Sequence, residues 1–427
     1  MVKAIAAFAF SLGAVASVAV LSLPTSDATA HQHQTVPAAY TPETQPPRPL
    51  LASNHLPLQP VSWADLEAST PFASLLGIED QFWDRNAPTA AASHDRQMLL
   101  TAIDHSLRYL RTSAAASAYR QYPVPGVTLN RVRRSLERFR QLVLTAQSPT
   151  ELRSAVIQEF DVYQSVGRDG QGTVAFTGYF EPTYAASRTP TPEYRYPLYR
   201  VPANLNRWPR PHPTRAQLEG IDGLQGSQNQ LRGLELVWLR DRFEAFLVQV
   251  QGSARLQLTD GSTMTVGVAG HTDYPYVGVG RELVNAGKFR LEDLSLPVLI
   301  QYFQDNPADL NAYLPRNNRF VFFRETAGAP ATGSLGLPVT AERSIATDKS
   351  LMPPGALALI QTQIPYANAQ GQLESRLVSR YVLDQDTGGA IRGAGRVDLF
   401  MGTGALAGDR AGLINATGQL YYLLLRN

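Results

Sequence analysis

The chain has 427 residues, with 38 lysines and arginines against 36 aspartates and glutamates, and no cysteine. The near-neutral balance offers no basic tract for nucleic acid and no sign of an acidic-polymer binder, and the missing cysteine excludes disulfides, thiolate zinc sites, cysteine nucleophiles and lipid anchoring through cysteine. Sparse charge together with 32 glycines and 30 prolines leans toward a β-rich fold with many turns, and the length leaves room for two domains and a helical part.

At the N-terminus, Lys3 precedes an apolar run from Ala4 to Leu23, and Ala28-Thr29-Ala30 offers a cleavage site before His31. This predicts a signal peptide over 1–30, with an uncleaved membrane anchor as the alternative, and a mature protein exported to the periplasm or cell envelope. Residues 31–60 carry Pro37, Pro42, Pro46, Pro47, Pro49, Pro57 and Pro60 and read as a linker without a core of its own. From Ser62 to Val166 the pattern is helical: Leu99, Ile103, Leu107 and Leu110 recur at helical spacing, as do Leu129, Val132, Leu136, Phe139 and Val143. Arg133, Arg134, Arg138 and Arg140 read as the solvated face of the second helix. Ser148-Pro149-Thr150-Glu151 is a capping box opening a third helix through Leu152, Val156 and Phe160.

From Gly172 onward the pattern turns to strands. Phe246, Val248 and Val250 alternate with Leu247, Gln249 and Gln251, which predicts a strand there. Leu256 and Leu258 lead through Asp260-Gly261 to Met264, Val266 and Val268, a hairpin. Residues 319–324 and 356–360 read as buried strands. Short strands between Gly, Pro and Asp-Gly turns suggest barrels rather than a doubly wound sheet.

The chain lacks a phosphate-binding P-loop, an H-E-x-x-H pair and a G-x-S-x-G elbow. Its seven histidines are scattered, with His31, His33 and His55 in the linker, so neither a metal nor a cofactor is expected. Carboxylates and aromatics remain, a combination suited to carbohydrate chemistry. The most informative stretch sets Asp386-Thr387-Gly388-Gly389-Ala390-Ile391 before Gly395-Arg396-Val397-Asp398-Leu399-Phe400. A carboxyl among apolar strand residues is hard to ionise, and the raised pKa suits an acid catalyst. Phe176 to Pro182, Gln249 to Ser253 and Tyr274-Pro275-Tyr276 supply rings, amides and hydroxyls that fit a sugar.

The order of these blocks resembles the membrane-bound lytic murein transglycosylase A family. Phe176-Thr177-Gly178-Tyr179-Phe180-Glu181-Pro182 resembles its F-T-G-Y-[YF]-E-P block, and Trp238 to Ser253 its W…D…F-L-Q-[VI]-Q-G-S block. Phe320 to Glu325, Leu337 to Asp348, Pro354-Gly355, Asp386 to Ile391 and Val397 to Phe400 complete the series, and the resemblance covers 172–422. The family's C-terminal part is the three-aspartate domain, whose aspartates would here be Asp348, Asp386 and Asp398. The chain departs from the family at His271-Thr272-Asp273-Tyr274-Pro275-Tyr276, at Ala329-Pro330-Ala331-Thr332-Gly333-Ser334, and in lacking the lipobox cysteine.

The resemblance implies a mainly β fold: a discontinuous double-psi β-barrel with an N-terminal helical part, plus a smaller inserted β-barrel. The expected division is a helical part with the first segment of the large domain at 61–181, the inserted glycan-binding barrel at 182–320, and the catalytic barrel segment at 321–427. The implied activity is that of a peptidoglycan lytic exotransglycosylase, which cleaves the β-1,4 bond between N-acetylmuramic acid and N-acetylglucosamine and leaves a 1,6-anhydromuramoyl end. Asp398 would be the acid and then the base, with Asp386 orienting it or raising its pKa. Thr177, Tyr179, Gln251, Gly252, Ser253, Tyr276 and Asp348 would bind substrate, although Asp348 ahead of Lys349-Ser350 also fits a turn-capping role. The expected partners are glycan strands, with cell-wall synthesis or division proteins as candidates. A non-catalytic glycan-binding scaffold on the same fold is the alternative, and an ordinary glycosidase would need a second carboxylate across the bond.

Overall fold

In a computed structural model, the residues described are 56–69, 73–79, 89–290 and 293–427. The export segment and nearly all of the linker lie outside them. The linker's last residues are not coreless: Leu58 is fully buried and opens β1 (Leu58–Val61). The strand forms because β2 (Phe160–Ser165) offers it an antiparallel edge, with Leu58 opposite Ser165.

Between these strands lie α1 (Trp63–Ser69), α2 (Thr89–Tyr109), α3 (Ser113–Tyr119), α4 (Leu129–Thr145) and α5 (Pro149–Glu159). Thr128 caps α4 by accepting from the Arg131 amide, and Val132, Leu136, Phe139 and Val143 form its buried stripe. Its arginines pair at the surface, Arg138 with Glu159 at 2.6 Å and Arg140 with Asp104 at 2.7 Å. Ser148 caps α5, and Pro149 sits in its first turn. The box is not reciprocal as expected, because Glu151 accepts from the Gln147 amide at 2.8 Å instead of from Ser148. The helix also stops at Glu159, since Phe160 pairs with Leu425 and starts β2.

The large barrel begins with β3 (Val174–Glu181) and resumes after the insert with β10 (Ser344–Ala346), β11 (Leu357–Ala367), β12 (Leu373–Asp386), β13 (Arg396–Thr403) and, after α11 (Ala405–Leu413), β14 (Asn415–Leu425). The order β14-β11-β12-β10-β13-β3 closes on itself through β14–β3, giving a six-stranded barrel. β3 runs parallel to β13 and β10 parallel to β12, and the other pairings are antiparallel. This is the discontinuous double-psi β-barrel of the expected fold. Its core continues without a break into the helical part: Phe139 and Phe160 join Tyr381, Leu383, Val397 and Leu420 in one apolar cluster.

The insert carries β4 (Thr183–Ser187), β5 (Tyr196–Tyr199), α6 (Arg215–Glu219), β6 (Glu235–Leu239), α7 (Arg242–Gln251), β7 (Ser253–Leu258), β8 (Thr263–His271), α8 (Val279–Asn285), α9 (Leu296–Asp305), α10 (Pro307–Tyr313) and β9 (Val321–Glu325). Its sheet runs β5-β6-β4-β7-β8-β9, and its edges meet where Arg200 bridges to Phe323. The boundary expected at 321 falls at the start of β9, which pairs with β8, so the chain re-enters the large barrel only at β10.

The strand expected over 246–251 is a helix. Asp241 caps α7 by accepting from the Phe243 and Glu244 amides, and Gly252 ends it at φ 84°. The alternation misleads because Gln249 is buried for a polar reason: its side-chain oxygen accepts from Arg215 at 2.7 Å and from the Val321 amide at 3.2 Å. The hairpin at Asp260-Gly261 forms as expected, with Leu256 opposite Met264.

Candidate active site

Strand pairing brings distant residues together. Asp398 on β13 pairs with Thr177 on β3 on one side and with Ala346 on β10 on the other, and Ala346 in turn pairs with Asp386 on β12. The two aspartates are therefore two strand spacings apart, about 10 Å along the sheet. The register of β10 on β12 slips between Ile345 and Ala346, and such a bulge re-aims side chains. Asp384 and Asp386 accordingly find different partners: Asp384 meets Thr347, Tyr422 and Lys349, while Asp386 meets groove residues.

Asp398 is half-buried, and its Oδ1 accepts from the Thr177 hydroxyl at 2.8 Å. Thr177 in turn accepts from Arg396 at 2.9 Å. Burial pushes the Asp398 carboxyl up to about 6, against the Thr177 hydrogen bond and Arg396, which lower it, while Asp386 adds to the rise. Among the described residues no further hydrogen bond holds this carboxyl, so its second oxygen is available to a ligand in the groove.

Asp386 is held differently. The Tyr179 hydroxyl donates to one oxygen at 2.8 Å, and the Ser334 and Thr387 amides donate to the other at 2.8 Å each. Burial raises its pKa, while those three bonds favour the carboxylate. The net shift is upward, so the three donors fix the orientation of the carboxyl rather than its charge, and a carboxyl tied in this way is a poor mobile base.

These residues line a groove of about 730 Å³ between the large barrel and the insert. The insert contributes Gln251 and Gly252 at the end of α7, Ser253 at the start of β7, and Tyr276. The Gln251 side chain accepts from the Phe180 amide at 3.0 Å, which ties α7 to the end of β3. Burial pushes the Tyr276 phenol up to about 12, with Asp398 adding to the rise, so this ring sits within electrostatic reach of the acid. Both segments that depart from the family pattern also line the groove, through His271 and Tyr276 and through Ala329 to Ser334.

Asp348 is not part of this assembly. It is 5 % exposed, does not line the groove, and spends its oxygens on Ser350 at 2.6 Å and on the Gly393 amide at 2.8 Å. The turn-capping role fits it, and through Gly393 it fixes the loop ahead of Asp398. Burial raises the Asp348 pKa, but the Ser350 and Gly393 hydrogen bonds outweigh it and the net shift is downward.

The sequence reading missed Arg396 and Lys349. Arg396 lies two residues before Asp398 on the same strand, hence on the same face, and that spacing was a usable signal. Lys349 bonds the Asp384 carboxylate and the Asp386 carbonyl, a contact no local pattern reveals. No group of His, Asp and Glu among the described residues is arranged to hold a metal ion.

Two family models match the chain, the MltA specific insert domain over residues 175–324 and the 3D domain over residues 343–424. The chain is 33% identical to the membrane-bound lytic murein transglycosylase A of Vibrio cholerae over 296 residues, covering 68% of this chain and 75% of the relative. It is 31% identical to the protein of that name from Escherichia coli K12 over 265 residues, covering 62% and 69%. Among solved structures, a membrane-bound lytic murein transglycosylase from Agrobacterium tumefaciens superposes with a TM-score of 0.64 at 25% identity, covering 86% of this chain and 98% of that one. The fold is also that of E. coli MltA with bound chitohexaose, at a TM-score of 0.62 and 23% identity, covering 87% and 95%.

Proposed function

The chain belongs to the membrane-bound lytic murein transglycosylase A family and is a peptidoglycan-cleaving lyase, and from that premise we propose that it cuts the β-1,4 bond between N-acetylmuramic acid and N-acetylglucosamine with Asp398 as its single acid and base. The observation that carries this reading is Asp398 itself, half-buried on the groove wall, held by one hydroxyl and with its carboxyl raised to about 6.

Protonated Asp398 gives its proton to the glycosidic oxygen as the bond from that oxygen to C1 breaks. The carboxylate left behind takes the proton of the C6 hydroxyl as O6 bonds to C1, which closes the 1,6-anhydro ring and regenerates the acid. The internal hydroxyl stands where water would in a hydrolase, so no second mobile carboxylate is required. The locked state of Asp386 supports this reading over an ordinary glycosidase. Asp386 supplies negative charge that keeps Asp398 protonated, and Thr177 orients the acid. Tyr179, Gln251, Gly252, Ser253 and Tyr276 bind the glycan strand. The export segment expected at residues 1–30 and the membrane-bound relatives support action in the cell envelope.

Digestion of purified peptidoglycan sacculi with protein lacking residues 1–30, followed by mass spectrometry, tests the reading. The expected products end in 1,6-anhydromuramic acid, one water lighter than hydrolysed ends, and disappear with Asp398→Asn. Reducing ends would replace the lyase by a hydrolase. Binding without cleavage would leave a scaffold.

A further inference from the structure

The groove is richer in positive charge than the near-neutral chain as a whole. Arg215, Arg319, Arg324, Arg392 and Arg396 line it, against the acids Glu181, Asp386 and Asp398. Arg215 is paired with Glu219 at 3.3 Å. The other four form no ion pair among the described residues. Arg319 donates only to the Tyr274 carbonyl at 3.3 Å, and Arg324 to the Val268 carbonyl at 3.0 Å. Arg396 reaches Thr177, and its buried Nε has no partner. Arg392 makes no hydrogen bond among the described residues, and the nearby acid Asp348 spends its oxygens on Ser350 and Gly393.

Two of these arginines converge from the two lobes. Arg319 stands just before β9 in the insert, and Arg392 lies on the loop between β12 and β13 of the large barrel. That loop approaches closely: a methyl group placed on Gly389 would lie 3.1 Å from the Arg319 Nε. Burial lowers the Arg319 pKa, and Arg392 lowers it further, so the two guanidiniums repel one another there. Like charges held together cost stability, and the Asp348 carboxylate, whose pKa Arg392 helps to lower, offsets only the Arg392 side of the pair. A guanidinium is a planar fork that matches a carboxylate in two parallel bonds.

We propose that Arg319 and Arg392 form a carboxylate-reading subsite of the groove, whose ligand is an acidic group carried by the muramyl residues of the strand. This rests on the glycan reading of the groove and deepens it. A muramyl residue bears a lactyl group, whose carboxylate is free on a strand stripped of its peptides and amide-bonded where a peptide stem remains. The stem itself carries other carboxylates. Both sources present the same chemistry, which a neutral chitin strand lacks. The subsite distinguishes murein from chitin and sets the register at which a strand lies against Asp398.

The test is calorimetric titration of Asp398→Asn protein, alone and with Arg319→Gln, Arg392→Gln or both, at fixed salt. Three ligands are compared: peptide-free strands with free lactyl carboxylates, the same strands with each lactyl carboxyl converted to its methylamide, and peptide-bearing strands. The expected result is about tenfold weaker binding per arginine removed for at least one carboxylate-bearing strand, the size of a lost charge-assisted hydrogen bond. Methylamide strands are expected to bind all variants alike, which also shows that the groove is intact. Loss confined to peptide-free strands identifies the lactyl carboxylate, and loss on peptide-bearing strands identifies the stem. Equal weakening of carboxylate and methylamide strands, no weakening, or no binding of any strand overturns the subsite. The proposed reaction fails separately, by the absence of anhydro ends when the protein with Asp398 intact digests the same strands.

Discussion

At the residue scale, the proposed acid is made by its surroundings. The Asp398 carboxyl is raised to about 6 mainly by burial, so most of it is protonated at pH 5 and only about a tenth at pH 7. The proposed general-acid step needs the protonated form, so kcat/KM on purified glycan strands is expected to be level below pH 6. It should then fall toward tenfold per unit above it. A profile that rises through pH 6 would assign the limb to a base. The same shift has a stability consequence of definite sign. Between the ordinary aspartate range and pH 6 the folded state holds a proton that the unfolded state has released, so this group's contribution declines as pH rises through that window. Asp398→Asn removes the charge and its repulsion from Asp386, and is expected to raise the melting temperature at pH 7.5. The gain should shrink at pH 4, where the native carboxyl is already neutral. Equal melting shifts at both pH values would mean that the ionised carboxylate is not strained in the fold.

At the element scale, α7 shows what the sequence made legible and what it hid. The blocks that carry Thr177, Gln251, Asp386 and Asp398 were readable because each is a contiguous run with a chemical identity. The helix was not, since its alternation of Phe246, Val248 and Val250 with Leu247, Gln249 and Gln251 fits a strand equally well. The decisive signals were at its ends, an aspartate cap at Asp241 and a left-handed glycine at Gly252, and the buried Gln249 obscured the helical period. Asp384 and Asp386 were hard to tell apart for a related reason: the bulge that separates their partners belongs to the pairing with β10 and leaves no trace in β12 itself. Gly252 connects this element to the groove. A methyl group there would have room, with the Val268 side chain at 3.4 Å, but φ of 84° strains any other residue. Gly252→Ala is therefore expected to cost about 1–2 kcal/mol in urea unfolding. It should also raise KM more than it lowers kcat, because the end of α7 shifts while Asp398 stays on its own strand. A selective fall in kcat would place this helix end in the chemistry instead of in binding.

At the scale of the whole molecule, the helical part is structural bracing for the barrel that carries the acid. Its core is continuous with the barrel's, β2 pairs along β14, and Arg131 reaches the Leu425 carbonyl at 2.8 Å. The deepest tie is ionic. Arg343, fully buried just ahead of β10, holds Glu79 through bonds of 2.7 and 3.0 Å and Asp95 on α2 at 2.5 Å, and also donates to the Tyr381 carbonyl at 2.9 Å. Arg380 on β12 adds Asp95 and Glu342, and Glu342 also binds Arg410 on α11. Helical periodicity revealed that these helices exist, but nothing local marks Glu79 and Asp95 as members of a buried network, because their partners lie more than 240 residues away. Such a network stabilises only while it is complete, since removing one member leaves buried charges without a counter-charge. Arg343→Met should cost about 3–5 kcal/mol in urea unfolding. Replacing Arg343, Glu79 and Asp95 together with apolar residues of similar size should recover much of that loss. The triple variant should also keep the proposed 1,6-anhydro products, because no member of the network lines the groove. If the triple variant instead folds as stably as Arg343→Met but no longer cleaves, the helical part does more than brace the barrel, and the geometry of β10, β12 and the two groove aspartates depends on it directly.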